Sequence, residues 1–169
     1  MSTQQPAATL PAATEANRPK VGVTTIVPRR NADNAVELLL GKRLKSHGTG
    51  KWACPGGHIE YGESFYECGR RELLEETGLV AKDTTEPDKF AAATNDVFGA
   101  DGKHYITIFI VCELEDANAK PEAKEPDKCA SWEWVPWEEV KSWNEKSEKQ
   151  AFLPLINLAK NYPDFDFGI

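Results

Sequence analysis

The chain has 169 residues, 40% of them hydrophobic and 28% charged, with a formal net charge of −7. That length suits one domain with a real core, and the acidic balance argues against general nucleic-acid binding, which needs a basic stripe. No run of about 18 apolar residues predicts a membrane span, and the N-terminus lacks the basic start and apolar stretch of a signal peptide.

Residues 1–19 (MSTQQPAATLPAATEANRP) are rich in Ala, Thr, Gln and Pro. They hold too little apolar surface to offset the entropy of ordering, so a flexible tail is expected, followed by one domain over 20–169. Arg18 is the tail's only arginine, which argues against a mitochondrial presequence. The four cysteines (Cys54, Cys68, Cys112, Cys129) show no CxxC spacing, so reduced thiols and a cytoplasmic setting are expected.

Residues 21–27 (VGVTTIV) and 37–41 (ELLLG) read as strands, with 28–34 as the exposed hairpin connection between them. Lys42, Arg43, Lys45 and Lys51 flank the SHGTG loop and form the densest positive cluster before residue 57. They either meet a triphosphate or are simply solvated. Gly56 and Gly57 let the backbone approach a ligand closely. Residues 58–61 read as a short strand, in which His58 either contacts phosphate or is structural.

A helix follows, and it carries the densest chemistry. Ser64 is a cap with Glu67 as its capping-box partner, and Gly78 supplies the left-handed stop. Phe65, Gly69 and Leu73 recur at four-residue spacing and form one apolar stripe. At about 100° per residue, Glu76 and Glu72 project roughly 20° and 60° from Gly69. Carboxylates beside a packed face are costly unless paired. Arg70 and Arg71 project elsewhere, so a divalent cation is the expected partner. Glu72 and Glu76 share one direction, and Glu75 flanks them. A glutamate cluster suits magnesium, which prefers a few carboxylates and keeps several waters.

Downstream, 90–98 (FAAATNDVF) and 104–114 (HYITIFIVCEL) predict a strand pair joined through 99–102. Asn95 and Asp96 either hydrogen-bond a base edge or serve the strand end. Residues 129–135 alternate, placing Trp132 and Trp134 on one face, where with Trp137 they either stack on a base or fill the core or a dimer interface. Pro136 opens one helix, and 151–160 a last one, interrupted or restarted at Pro154. The fold class is α+β: a mixed sheet with the glutamate helix on one face and the C-terminal helices on another.

Residues 57–79 fill every fixed position of G-x5-E-x7-R-E-U-x-E-E-x-G-U, with Leu73 and Leu79 as the aliphatic U residues. They resemble the Nudix box. The resemblance implies an α/β/α sandwich, dependence on Mg2+ with Mn2+ as a substitute, and hydrolysis of a nucleoside diphosphate linked to another moiety. It carries metal ligation to Glu72 and Glu76, supported by Glu75 and the Gly57 carbonyl. It leaves the general base open between Glu75 and Glu76, with Glu63 behind them, and makes Arg71 the orienting partner of Glu63.

VGV, LLGKR, PGGHIEYGES, HYITI, EPDKC and SWEWVPWEEV extend the resemblance, over roughly 21–140, to MutT-like eukaryotic nucleoside triphosphate diphosphatases of the thiopurine-nucleotide group. That implies a homodimer, a small nucleotide substrate, pyrophosphate release, and Thr107 near the substrate pocket. AFLPL stands where that group has a pocket tryptophan, which makes Phe152 and Leu155 pocket candidates and leaves base preference open. The substrate-side expectation is thus Lys42, Arg43, Gly56, His58, Asn95, Thr107, Phe152 and Leu155. A nucleotide sugar, a dinucleotide or a pterin triphosphate is the alternative substrate, and a non-catalytic nucleotide-binding module the alternative role.

Overall fold

A computed structural model describes residues 18–45, 47–83, 90–143 and 146–169. Most of the expected tail, residues 1–17, lies outside the described residues, as do Ser46 and part of the turn-rich stretch after the helix. The elements are β1 (Lys20–Ile26), β2 (Pro28–Arg30), β3 (Val36–Arg43), β4 (Trp52–Ala53), β5 (Gly56–His58), α1 (Phe65–Thr77), β6 (Phe90–Phe98), β7 (Lys103–Val111), β8 (Cys129–Pro136), α2 (Trp137–Ser142) and α3 (Leu153–Asn161).

Two sheets make the frame. The first runs β5-β1-β7-β6, and the second runs β2-β3-β4 with β8 on the other edge of β3. β1 and β7 are parallel while β5 and β6 pair antiparallel, so the first sheet is mixed. Successive side chains alternate faces along a strand. Val23, Ile108 and Ile110 therefore meet Leu73 of α1 in one buried cluster, while Ile26, Phe109 and Ala92 face Leu38, Leu155 and Leu158 in another. The sheet is apolar on both faces because helices and a second sheet cover it. The α+β sandwich expected from the pattern is the fold observed.

α1 forms where its local signals put it. Ser64 Oγ accepts from the Glu67 N–H (3.2 Å) and Glu67 Oε2 from the Ser64 N–H (2.8 Å). Gly78 at φ +71° ends the helix by donating to the Leu74 carbonyl. Gly69 lets α1 press onto β1, where the Thr25 hydroxyl donates to the Gly69 carbonyl (3.0 Å). A methyl there would land on Ile110 Cδ1 and lie 2.6 Å from Thr25 Oγ1. Gly69→Ala is thus expected to destabilise by about 1–3 kcal/mol through overpacking, outweighing the helix-propensity gain. A denaturant midpoint equal to or above wild type would count against it.

Three expectations change, and the open question of the tryptophans is decided for packing. The segment expected as the 28–34 connection contains strand β2, paired to β3 and pinned by the Arg29–Glu37 ion pair (2.7 Å); the turn itself is confined to 31–35, with Asn34 at φ +62°. The strand expected at 58–61 is instead Gly56–His58. Arg71 Nη2 takes the His58 carbonyl at 3.1 Å, and the chain turns away through Gly62 at φ +89°. The last helix is not interrupted at Pro154. It starts at Leu153, so the proline sits in the first turn, where its missing N–H costs nothing. Trp137 is a core residue, and Trp132 and Trp134 pack at the edge of the α1 cluster, with Arg29 over the Trp134 ring at 4.1 Å. Among the described residues, no helix is long and apolar enough to cross a membrane.

Candidate active site

A cavity of about 760 Å³ opens beside the C-terminal half of α1. Its acidic wall is Glu72, Glu75 and Glu76, which α1 carries past the edge strand β5 to the Gly56–Gly57 pair. Both glycines make room for carboxylates or backbone. A Cβ on Gly57 would strike the Glu72 carboxyl group, and one on Gly56 would lie 2.9 Å from Thr24 Cα. The Gly56 N–H donates to Glu76 Oε2 (3.1 Å), and Trp132 Nε1 donates to the Glu76 carbonyl (3.2 Å), anchoring the helix end to β8.

Arg71 organises the glutamates. Its Nε and Nη2 grip Glu63 at 2.7 and 3.0 Å, while Nη1 donates to Glu72 Oε1 at 2.8 Å and lies 3.4 Å from Glu75 Oε2. Helical spacing alone points Arg71 away from Glu72. The guanidinium instead folds back across the helix face, a reach that Cβ directions alone do not show. Its hydrogen bonds hold the Glu63 carboxyl down at about 2, well below the usual carboxylate range. Glu63 also accepts from the Glu60 N–H (2.8 Å) and does not line the cavity. That geometry makes it the anchor of Arg71. The Glu76 carboxyl is pushed the other way, up to about 7, by burial first and by the charges of Glu72 and Glu125 after it; the Gly56 N–H and Arg43 work against that shift.

Arg43, Lys45, Lys103 and Lys128 also line the cavity, as do Glu125 and Asp127, which pair with Lys128 (2.7 Å) and Lys45 (2.6 Å). An acidic chain thus keeps cationic side chains at its cavity, with Arg43 and Lys128 near enough to act on the Glu76 charge. The distal end is aromatic. Phe98 and Phe152 stack with centroids 5.2 Å apart, and His47 lies near-parallel to Tyr105 at 5.7 Å and edge-on to Phe98 at 4.6 Å. The Arg43 guanidinium covers Phe152 at 4.5 Å. Burial and the Lys103 ammonium hold the His47 imidazole below its ordinary value.

Of the substrate-side candidates, Arg43, Gly56, His58, Thr107 and Phe152 line this cavity. Lys42, Asn95 and Leu155 do not. Lys42 is exposed, one residue out of step with Gly41 and Arg43 on β3. Asn95 lies on the outer face of β6, its Oδ1 2.5 Å from His104 Nε2, while Thr94 and Asp96 face inward. Leu155 is a core residue, 2% exposed, because Pro154 is the α3 residue that turns toward the opening. Sequence reasoning missed His47, Phe98, Tyr105, Lys103 and Lys128. An aromatic cluster drawn from a loop, a hairpin and a helix start has no signal in sequence spacing.

The donor set fits a hard divalent cation. Glu72 and Glu76 are oxygen donors on one wall, Glu72 lies in a cradle that a Gly57 side chain would fill, and the raised Glu76 carboxyl lacks a full counter-charge. Among the described residues no three acidic, imidazole or thiol groups already converge on one point. Glutamate oxygens of this kind suit a hard ion such as magnesium, which takes one or two carboxylates and completes its shell with water and phosphate.

The chain belongs to the NUDIX domain family, whose model matches residues 18–156. It is 29% identical over 145 residues to Nudix hydrolase 6 of Arabidopsis thaliana, covering 83% of this chain and 48% of that protein. The chain therefore spans about half the length of the curated relatives it matches first. The MutT protein of Methanosarcina mazei Go1 superposes with a TM-score of 0.57 at 27% identity, over 78% of this chain and 86% of that one. The NUDIX domain of Shewanella oneidensis NrtR, complexed with ADP ribose, superposes at 0.62 with 19% identity, over 89% of this chain and 99% of that one, a likeness of fold alone.

Proposed function

We propose that this chain hydrolyses nucleoside triphosphates, including deoxy or modified forms, to the monophosphate and pyrophosphate. Magnesium would be the cofactor and Mn2+ its substitute. The observation that carries this reading is one cavity that brings together the α1 carboxylates, the cations Arg43 and Lys103, and a cluster of aromatic rings. Glu72 and Glu76 would hold the ion, with Glu75 and the Gly57 carbonyl supporting. Bound there, it would neutralise phosphate oxygens and acidify water.

The chain's own residues do the rest. Arg43, Lys45, Lys103 and Lys128 offset the charge that builds on the transferring and leaving phosphates. Arg71, clamped by Glu63, keeps Glu72 and Glu75 pointing to the cavity. Glu75 or Glu76 accepts the proton of the attacking water. The family resemblance supports a homodimer and the cysteine spacing a cytoplasmic setting, with residues 1–19 preceding a catalytic domain over 20–169.

The test is a panel of nucleoside triphosphates, ADP-ribose, a nucleotide sugar and a dinucleoside polyphosphate, each with magnesium, scored for pyrophosphate. Triphosphates releasing pyrophosphate support the proposal. Turnover of ADP-ribose or a nucleotide sugar alone, giving two monophosphates, would replace the substrate class and keep the site. The likeness to an ADP-ribose-bound domain motivates a second outcome, tight binding without turnover, which would mark a binding module.

Metal affinity should also depend on pH with a defined sign. An ion needs the Glu76 carboxylate, and that carboxyl is protonated below about 7. Apparent magnesium affinity is expected to be flat above pH 8 and to fall by about tenfold per unit below 7. Calorimetric titration from pH 8.5 to 5.5 measures this, and a flat profile would contradict it.

A further inference from the structure

Behind the aromatic end of the cavity lies a buried carboxylate that the chemistry above does not use. Asp96 is fully buried, and so are its neighbours Thr94 and Thr107, at 3% and 4% exposure. Its Oδ2 accepts from Thr107 Oγ1 (2.6 Å) and Thr94 Oγ1 (2.8 Å), and its Oδ1 from Asn157 Nδ2 of α3 (2.7 Å). Register explains the grouping. Thr94 and Thr107 are paired across β6 and β7, Thr107 is in turn paired to Gly22 of β1, and Asp96 is two residues beyond Thr94 on the same face. Of this set, Thr107 and Gly22 line the cavity, and Gly22 leaves the floor beside Thr107 bare.

A hydroxyl has one proton and two lone pairs, and an ionised carboxylate only accepts. The Thr107 proton is committed to Asp96. Toward the cavity Thr107 therefore presents lone pairs and no donor. We propose that Asp96 is a specificity-determining positioning residue, acting through Thr107 so that this point of the cavity accepts a base that presents an exocyclic amino group and rejects one that presents an exocyclic carbonyl. An acceptor edge placed there would face another acceptor in a buried setting, which costs more than a missing hydrogen bond. This rests on reading the cavity as a nucleotide site.

Asp96→Asn tests it, because the surroundings dictate how the amide must sit. Asn157 Nδ2 donates to the Oδ1 position and also approaches the Asn95 carbonyl (3.5 Å), so the amide oxygen takes that side. The new NH2 then lies at the Oδ2 position and donates to both threonines. Their protons are released, and Thr107 can donate into the cavity. The variant should reverse the edge preference with almost no change in shape.

The measurement is calorimetric binding of the matched pairs AMP/IMP and CMP/UMP, without metal, so that it does not depend on turnover. Wild type is expected to favour the amino member of at least one pair by about tenfold. Asp96→Asn should move that ratio at least about tenfold toward the oxo member, while Thr107→Val, which removes the hydroxyl and keeps the shape, should bring it near one. A folded Asp96→Asn protein with the wild-type ratio overturns the proposal, as does a wild-type preference for the oxo member in both pairs. If Asp96→Asn does not fold, Thr107→Val decides alone, an unchanged ratio overturning the idea. Binding with the expected ratios but no pyrophosphate from any triphosphate would sink the proposed reaction and leave this inference standing; no binding of any monophosphate overturns the inference.

Discussion

Glu76→Gln is expected to lose at least about 10²-fold in turnover while making the metal-free protein more stable. The two effects have one origin. Burial and the neighbouring Glu72 charge raise the Glu76 carboxyl to about 7 from an ordinary 4.5. The fold thus favours the protonated form. Relative to the unfolded chain there is no penalty below about pH 4.5; it grows between 4.5 and 7 and is complete above 7. Each unit is worth about 1.4 kcal/mol, so the charged carboxylate costs roughly 3–4 kcal/mol in alkaline buffer. Glutamine removes the charge and keeps an oxygen for the Gly56 N–H. At pH 8 with chelator, its melting temperature should rise by roughly 5–10 °C, and the gain should vanish at pH 4. For activity, losing a metal-binding carboxylate is expected to remove about 3 kcal/mol of transition-state stabilisation. A variant no more stable than wild type at pH 8 would show that Glu76 is not strained, and near-normal turnover would remove it from the metal site.

Arg71→Met should act in the opposite direction on stability. The guanidinium serves Glu63 and Glu72, whose side chains are only 17% and 15% exposed, and it also holds the His58 carbonyl. Removing one partner of a part-buried ion network leaves carboxylates without their counter-charge, a loss of about 3–5 kcal/mol at neutral pH. Arg71→Lys should recover part of it, because an ammonium restores charge without the two-pronged grip on Glu63. The pH dependence separates this from simple packing loss. Glu63 is held down at about 2, so its contribution is full above 4.5 and fades as pH falls toward 2. The gap between wild type and Arg71→Met in urea midpoint should therefore narrow in acid. A gap constant from pH 7 to 3 would assign the loss to packing.

These two side chains also mark where reading a sequence stops. That Glu72 and Glu76 share a direction follows from helical spacing, and the capping box and Gly78 are local signals that α1 obeys. That Arg71 bends back onto Glu72 is not local. It depends on Glu63 and the His58 carbonyl, which the turn at Gly62 brings alongside the helix. The substrate side shows the same division more sharply. Asn95 and Asp96 are adjacent in sequence and equally suited to a base edge. Strand parity sends Asn95 to the outer face and Asp96 inward behind Thr107. Phe152 and Leu155, three residues apart, part in the same way, one into the cavity and one into the core.

The amino-acid sequence by itself determined the helix, its caps, the direction of its glutamates, the strand-rich α+β pattern and hence the family. Each of these depends on contacts within a few residues, where spacing and side-chain chemistry suffice. The tertiary structure alone decided which cations share the cavity with the glutamates, which rings close the cavity and which threonine has its proton taken. Those pairings join residues far apart in the chain, and strand register, not spacing, sets them.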